Sequence, residues 1–227
     1  MLVTSRSAAE YHAMFDLTSA DLVAASVLDC CAGGSSFAAE TAGAVASERN
    51  GGWVVAVDPA YAAGRRLLAE RLWTGLREGD RLIDRHPERF EWGWYGGAER
   101  RAAARTEAAR RFLADLESHP GRYLAGVLPD LPLADASFDL VLCSHMLFTW
   151  ANQLSAEWHR AALAELVRVA RREVRVFPLV VQGTGEPVGF LDELRAGLAA
   201  SGHRSQVHTV PYRFQRGANA MLVVRAD

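Results

Sequence analysis

The feature that most constrains the fold of this chain is a unit of strand, small-residue loop, helix and strand, in which an aspartate follows each apolar run. The first apolar run ends at Asp29, and the second is followed by Asp58 about 30 residues later. The loop between the first strand and the helix contains Gly33 and Gly34, which let a backbone pass close to a neighbouring group. Such a unit joins two parallel strands of one sheet. Its parts are residues 24–29, the loop 30–36, residues 37–47, a turn at Gly51-Gly52 and residues 53–57.

The rest of the chain continues this alternation of helix and strand. Alternation of this kind predicts a mostly parallel sheet with helices on both faces. Because no helix separates the last two strands, the last strand is expected to run antiparallel to its predecessor. The predicted helices are residues 11–22, a long helix containing Leu163, Leu166, Val167 and Ala170, and residues 191–200 before Gly202. The predicted strands are residues 123–127, 138–143, 174–181, 205–211 and 220–225, with a turn at Arg216-Gly217 before the last.

The long connection between the second and third strands, residues 60–122, is predicted to be mainly helical. Connections of that length are rarely structureless. Together with the helix predicted from Tyr11, we expect it to form a cap over the carboxyl edge of the sheet. At 227 residues, the chain is long enough for one such domain, residues 1–227, and short for two.

Composition narrows the class of protein further. A formal net charge of −2 argues against a nucleic-acid substrate, since proteins that hold polyanions usually carry a basic excess. Cys30, Cys31 and Cys143 form neither a disulfide framework nor a metal-ligand spacing. The chain has neither the start of a signal peptide nor an apolar stretch that spans a membrane. We therefore expect a cytoplasmic protein without a metal or membrane partner; its oligomeric state is left open.

Four polar residues are expected at the carboxyl ends of parallel strands, where open α/β sheets bind ligands. Asp58 can accept hydrogen bonds from ribose hydroxyls, or cap the next helix with Pro59 at its first position; the two roles are compatible. Asp29 would repel a pyrophosphate and attract an ammonium group. Ser144 and His145 follow the fourth strand, and His145 could take a proton from a hydroxyl or amine, or be a structural histidine.

Two further groups of side chains allow alternative interpretations. Several aromatic residues could wall an apolar substrate pocket or could be core. Residues 99–111 are rich in arginine, which favours a solvated helix face, with recognition of an acidic substrate as the alternative. The aromatic residues are Trp92, Trp94, Tyr95, Phe148 and Trp150.

Three stretches resemble motifs of the class I S-adenosylmethionine-dependent methyltransferases. Residues 27–35 resemble V-L-D-x-G-x-G-x-G, and residues 55–58, Val-Ala-Val-Asp, resemble the acidic end of the second strand. Residues 131–142 resemble the L-P-F-x-D-x-S-F-D-x-V entry into the fourth strand, which is the most specific of the three. The resemblance covers most of residues 27–224, and residues 58–123 are the exception.

This resemblance implies a Rossmann-like α/β fold with a seven-stranded sheet, and S-adenosylmethionine as cofactor. The sequence departs from the motifs at two places. Cys31 and Ser35 stand where the first and third glycines are usual, and Val127 stands where an acidic residue commonly follows the third strand, which leaves Asp130 or a backbone carbonyl for the adenine amino group. The implied cofactor contacts are Asp29, Cys31, Gly33, Gly34, Asp58, Pro59, Val127, Leu128 and Ser144.

The predicted function is transfer of the activated methyl group to an oxygen or nitrogen of a small molecule, with His145 as the candidate base. Two alternatives are open. One is a cofactor-binding module without catalysis that serves as a partner subunit. The other is an NAD(P)-dependent oxidoreductase, which the charge of Asp29 and the lack of a Tyr-x-x-x-Lys pair disfavour.

Overall fold

The structure, a computed structural model, describes residues 2–45 and 52–226. Within them, seven strands form one sheet: β1 Ser26–Cys30, β2 Trp53–Val57, β3 Tyr123–Leu124, β4 Phe138–Ser144, β5 Ala170–Phe177, β6 Ser205–Thr209 and β7 Ala220–Arg225. The strand order is β3-β2-β1-β4-β5-β7-β6. The first five strands pair in parallel, and β7 runs antiparallel to both of its neighbours, β5 and β6. The prediction of a mostly parallel sheet with an antiparallel strand near its end is confirmed.

Helices cover both faces of the sheet, as the alternating pattern predicts. Side chains of β1 point alternately to the two faces, so that Val27 joins the core on one side while Leu28 and Cys30 join the core on the other. The first core also contains Phe37 and Phe112, and the second contains residues of the C-terminal helices. The helices are α1 Ala8–Phe15, α2 Ser19–Leu22, α3 Phe37–Val45, α4 Arg65–Arg85, α5 Ala98–Ser118, α6 Ala156–Val169 and α7 Leu191–Ala200.

The N-terminal helix is shorter than predicted: the expected single helix 11–22 is two helices. Asp16 adopts the left-handed conformation, with φ +48°, and ends α1. A capping box between Thr18 and Asp21 then starts α2. The capping side chains satisfy backbone groups that a continuous helix would have satisfied itself, which explains the break.

Three strands differ in their bounds from the prediction. The strand predicted at 123–127 is only Tyr123–Leu124, because Val127 instead pairs with Asp130 across a tight turn. The strand predicted at 174–181 is Ala170–Phe177; it ends before Pro178, which has no N–H for the ladder. The hairpin strand predicted at 205–211 ends at Thr209.

Other boundaries agree with the prediction. The helix predicted at 191–200 is α7, and Gly202, with φ +91°, follows it. The helix predicted at 37–47 is seen as α3 up to its last described residue; its two final residues and Gly51 of the predicted turn lie outside the described residues.

The connection between β2 and β3 contains α4 and α5, two helices of 21 residues each. They pack against each other, and α5 also contacts α3. In residues 2–45 and 52–226, no helix combines the length and apolar character needed to cross a membrane.

Candidate active site

A cavity of about 1320 Å³ lies at the carboxyl ends of β1, β2 and β4. Since β2 and β4 lie on opposite sides of β1, the chain leaves this edge in two directions and a crevice results, as at other ligand sites of open α/β sheets. The cavity is also lined by residues of the helices α4 and α5 and by Leu2, Val3, Thr4 and Arg6. Of the sequence-predicted site residues, the cavity brings together Cys31, Gly33, Asp58, Pro59, Ser144 and His145.

The loop after β1 keeps a left-handed backbone at a non-glycine residue. Cys31 has φ +60° and Gly33 has φ +58°, a conformation that costs a residue with a Cβ roughly 1–3 kcal/mol. Gly34 has a packing role instead: a Cβ there would lie 2.5 Å from Leu72 Cδ1 of α4. Gly34 therefore does not line the cavity, and its lack of a side chain lets α4 approach the loop.

Six consecutive backbone N–H groups, from the loop into the start of α3, are used within the protein. Each N–H from residue 32 to residue 37 donates to another group of the chain, so none of these six remains for a ligand. A pyrophosphate at this loop would lack the donors that dinucleotide-binding loops offer, which argues against the oxidoreductase alternative. The acceptors, in chain order, are Val57 O, Asp58 Oδ2, Thr4 O, Ala32 O, Arg6 O and Ser35 Oγ.

Asp58 lies directly after β2 and forms part of the cavity wall there. Its Oδ2 accepts from Gly33 N at 2.9 Å, and its Oδ1 accepts from Ala60 N at 2.8 Å. It thus caps the short helix Pro59–Ala63 while it lines the cavity. Burial raises the pKa of Asp58, although both hydrogen bonds act to lower it. The carboxylate is held in place, with a second lone pair on each oxygen for a ligand.

Asp29, in contrast, lies behind the cavity wall. Its side chain is fully buried, and Tyr11 donates its hydroxyl to Oδ1 at 2.9 Å. Tyr11 stacks on Phe37 at 4.7 Å, which closes the space over the carboxyl. Burial raises the pKa of Asp29 to about 8 against the effect of the Tyr11 hydrogen bond, and the nearby Asp58 charge adds to the rise. The carboxyl is therefore neutral at neutral pH and does not face the cavity.

The raised pKa of Asp29 predicts a stability that falls with pH. The folded state keeps a proton that the unfolded state releases above the ordinary value of 3.8, so stability is lost between there and about 8. We expect wild type to lose stability relative to Asp29→Asn by about 1.4 kcal/mol per pH unit in this window. Urea unfolding at several pH values measures it, with the exposed Asp84→Asn as control; parallel pH profiles for all three proteins would contradict the prediction.

Two of the implied cofactor contacts, Val127 and Leu128, do not line the cavity. Val127 is 57% exposed on the turn that it makes with Asp130. Leu128 is buried in the second core together with Leu131. Their contact with the cofactor stays a prediction.

Ser144 ends β4 at the cavity, and His145 follows it. His145 has φ +54°, and its N–H donates to Phe177 O at 2.7 Å, which continues the pairing with β5. Its Nδ1 lies 2.9 Å from Ser144 Oγ. Burial lowers the pKa of His145 well below its ordinary value, and the charges of Arg6 and Arg105 add to this effect. The imidazole is therefore neutral at neutral pH, and His145 lines the cavity.

Of the five aromatic candidates, the cavity includes Trp150. Phe148 is buried in the second core, and Tyr95 is buried against Tyr212 and Phe214. The interpretation of these rings as core is correct for both. Trp92 and Trp94 pack edge-on against Phe214 and Tyr212.

The arginine-rich stretch 99–111 is not a uniformly solvated face, which corrects the sequence interpretation. Arg105 is 4% exposed, lines the cavity and forms an ion pair of 2.9 Å with buried Glu10. Arg101 pairs with Asp80 at 2.7 Å. Sequence reasoning missed Glu10, although Ser7 and Glu10 have the spacing of a capping box, which the structure forms. No sequence pattern of this kind marks Arg6 as a residue of the site.

Comparison with known proteins agrees with this architecture. Residues 98–177, from α5 to β5, match the family described as a methyltransferase domain. An uncharacterized protein of Methanocaldococcus jannaschii is 24% identical over 229 residues, which cover 99% of this chain and 96% of that protein.

One solved structure with a TM-score above 0.5 is similar in fold, and a second match scores lower. The first comes from work on the conversion of a disulfide bond into a thioacetal group during echinomycin biosynthesis. Its TM-score is 0.51, and it is 16% identical over 95% of this chain and 81% of that chain. The other is magnesium protoporphyrin IX methyltransferase from Synechocystis PCC 6803 with bound S-adenosylhomocysteine, with a TM-score of 0.46 and 13% identity over 90% and 74% of the two chains.

The domain match over residues 98–177 and the strand order make this chain similar to the class I, Rossmann-like, S-adenosylmethionine-dependent methyltransferases.

The described residues fit S-adenosylmethionine, the cofactor that this similarity implies, at its nucleoside end. Asp58 offers carboxylate lone pairs at the carboxyl end of β2, where ribose hydroxyls can donate. The amino-acid end has to be bound differently, because the N–H groups of residues 32–37 are already used and Asp29 is buried. Any charge at that end has to be matched by side chains of the cavity wall.

Proposed function

We propose that this protein transfers the methyl group of S-adenosylmethionine to an oxygen or nitrogen of a small-molecule acceptor in the cytoplasm, where its thiols stay reduced. The observation that carries this proposal is the size and place of the cavity. Its volume of about 1320 Å³ exceeds the roughly 300–1,000 Å³ of a typical small-molecule site, and it extends from Asp58 past His145. It has room for a second ligand beside the cofactor.

The wall beyond His145 favours a compact acceptor. Trp150 and Phe214 supply apolar surface, and Thr149 and Gln182 supply polar groups. A concave site with few polar groups suits a small molecule. The net charge of −2 gives no support to a nucleic-acid acceptor.

The bound cofactor supplies a methyl group already activated on a sulfonium. The contribution of the chain is therefore to align the acceptor, to exclude water and to receive a proton. His145 is the residue proposed to receive it, because its neutral imidazole lines the cavity and Ser144 holds the Nδ1 side. An oxygen acceptor needs this proton transfer more than an amine that is already neutral.

For a hydroxyl acceptor, we expect His145→Gln to lower kcat by about 100-fold and to leave S-adenosylhomocysteine affinity nearly unchanged. Since burial and the arginine charges hold the pKa of His145 well below 6.5, wild-type kcat should be flat with pH above that value. Steady-state kinetics over pH measure both effects. His208→Gln, on the exposed strand β6, is the control; a kcat for His145→Gln equal to that of wild type would show that another group takes the proton.

The proposal as a whole is tested by ligand binding and product formation. Calorimetric titration with S-adenosylmethionine, S-adenosylhomocysteine and NADH should show binding of the first two only. Transfer of labelled methyl to a panel of phenols, carboxylic acids and amines then identifies the acceptor class. Cofactor binding without product across the whole panel would favour the partner-module alternative, and binding of NADH alone would overturn the proposal.

A further inference from the structure

The N-terminal segment crosses the glycine loop and places Arg6 at its edge. Thr4 O accepts from Gly34 N at 2.8 Å, and Arg6 O accepts from Ser36 N at 2.9 Å and from Ser36 Oγ at 3.2 Å. The backbone of Arg6 is thus fixed on the loop. Its side chain lines the cavity.

The guanidinium of Arg6 is poorly satisfied by the protein. Nη1 donates to Thr4 Oγ1 at 3.1 Å, whereas Nε is buried and has no partner among residues 2–45 and 52–226. No described carboxylate lies within 4 Å of it to form an ion pair. An unmatched guanidinium beside a cavity is a donor fork that suits a carboxylate.

The neighbouring cation Arg105 makes an anionic ligand at Arg6 more favourable. Burial lowers the pKa of Arg6, and the charge of Arg105 lowers it further. Arg105 has its own carboxylate, since Glu10 lies 2.9 Å from Nη2. The charge of Glu10 also acts on Arg6 and raises its pKa, but the ion pair within 4 Å is the one with Arg105. Among the described residues, the charge of Arg6 is therefore matched less closely than that of Arg105.

The hydrogen bonds of the glycine loop limit how a ligand carboxylate near Arg6 can be bound. Because the N–H groups of residues 32–37 are all used, a carboxylate near the loop finds no free backbone donor at these six positions. We infer that Arg6 binds a carboxylate of a ligand in this cavity, and its position on the loop points to the carboxylate of the cofactor's amino-acid end. An acceptor carboxylate has the same chemistry and is the second source. The inference rests on the proposed function.

The test is calorimetric titration of wild type, Arg6→Gln and Arg6→Lys with two ligands. S-Adenosylhomocysteine has the amino-acid end, and 5′-methylthioadenosine lacks it. We expect Arg6→Gln to weaken S-adenosylhomocysteine about 10- to 100-fold, as for loss of a charged hydrogen bond, and to leave 5′-methylthioadenosine unchanged. Arg6→Lys should recover part of the affinity. Arg85→Gln, at the exposed end of α4, is the matched control, and thermal unfolding checks that each variant is folded.

The second arm identifies the source of the carboxylate. Benzoate is titrated into each protein saturated with S-adenosylhomocysteine. Unchanged S-adenosylhomocysteine affinity in Arg6→Gln with loss of benzoate binding supports the inference with the acceptor as source. Affinities for both ligands equal to those of wild type overturn it. Arg71 of α4 also lines the cavity, and a loss of affinity in Arg71→Gln in place of Arg6→Gln overturns the inference as well. If wild type binds neither nucleoside, the proposed function itself fails, and the inference fails with it.

Discussion

Replacement of Asp58 by alanine is expected to lower the affinity for S-adenosylhomocysteine by at least about 100-fold. A charged hydrogen bond contributes roughly 1.5–3 kcal/mol, and the carboxylate can offer one to each ribose hydroxyl. The same change leaves Gly33 N and Ala60 N without their acceptor, so the walls of the crevice lose their fixed positions as well. Calorimetric titration gives the affinity directly.

The control for this prediction separates charge from shape. Asp58→Asn keeps one oxygen for a backbone donor and should reduce the affinity less than alanine does. Asp84→Ala, at an exposed position of α4, should leave the affinity at the wild-type value. If Asp58→Ala binds S-adenosylhomocysteine as wild type does, the nucleoside does not occupy the carboxyl end of β2.

The substitution Glu10→Gln is expected to destabilise the fold by about 3–5 kcal/mol, because it leaves Arg105 buried without its counter-charge. The two side chains are 2% and 5% exposed. The pKa of Glu10 is lowered: burial opposes ionisation, but the charge of Arg105 and the hydrogen bonds of Tyr95 and Ser7 outweigh it. Urea unfolding at neutral pH measures the loss.

A surface pair gives the comparison for this ion pair. Glu107→Gln breaks an exposed pair with Arg111 on α5, and it should cost no more than about 1 kcal/mol. Since the pKa of Glu10 lies below its ordinary value of 4.5, the advantage of wild type over Glu10→Gln should shrink as the pH falls through the folded-state pKa. Equal losses for Glu10→Gln and Glu107→Gln would mean that the buried pair adds no special stability.

Much of the fold could be predicted because its signals are local. The apolar runs at 24–29, 53–57 and 138–143 are bounded by turn residues, and the structure has strands at each. The predicted ends of helices and strands were wrong where pairing with another strand or the backbone conformation of a single residue sets the boundary. Ala170 belongs to β5 because it pairs with Phe138, and Asp16 ends α1 in a left-handed conformation that periodicity does not reveal.

The candidate site was predictable where one residue type follows one strand. Asp58 follows β2, Ser144 ends β4 and His145 follows β4. Parallel strands bring their carboxyl ends to one edge of the sheet, so these three residues lie at the same edge. Motif position alone placed Asp29 and Leu128 in the same group, yet burial under Tyr11 and in the second core keeps both away from the cavity.

Local sequence patterns predicted the alternation of strands and helices and the antiparallel last strand, because both depend on residues within about 30 positions of one another. Which charges are matched, and which face the cavity, depends instead on tertiary packing. Glu10 and Arg105 meet across 95 positions of the chain, and Arg6 reaches the glycine loop through backbone hydrogen bonds that any residue could make. Contacts of this kind arise from packing, which leaves no periodic trace in the sequence.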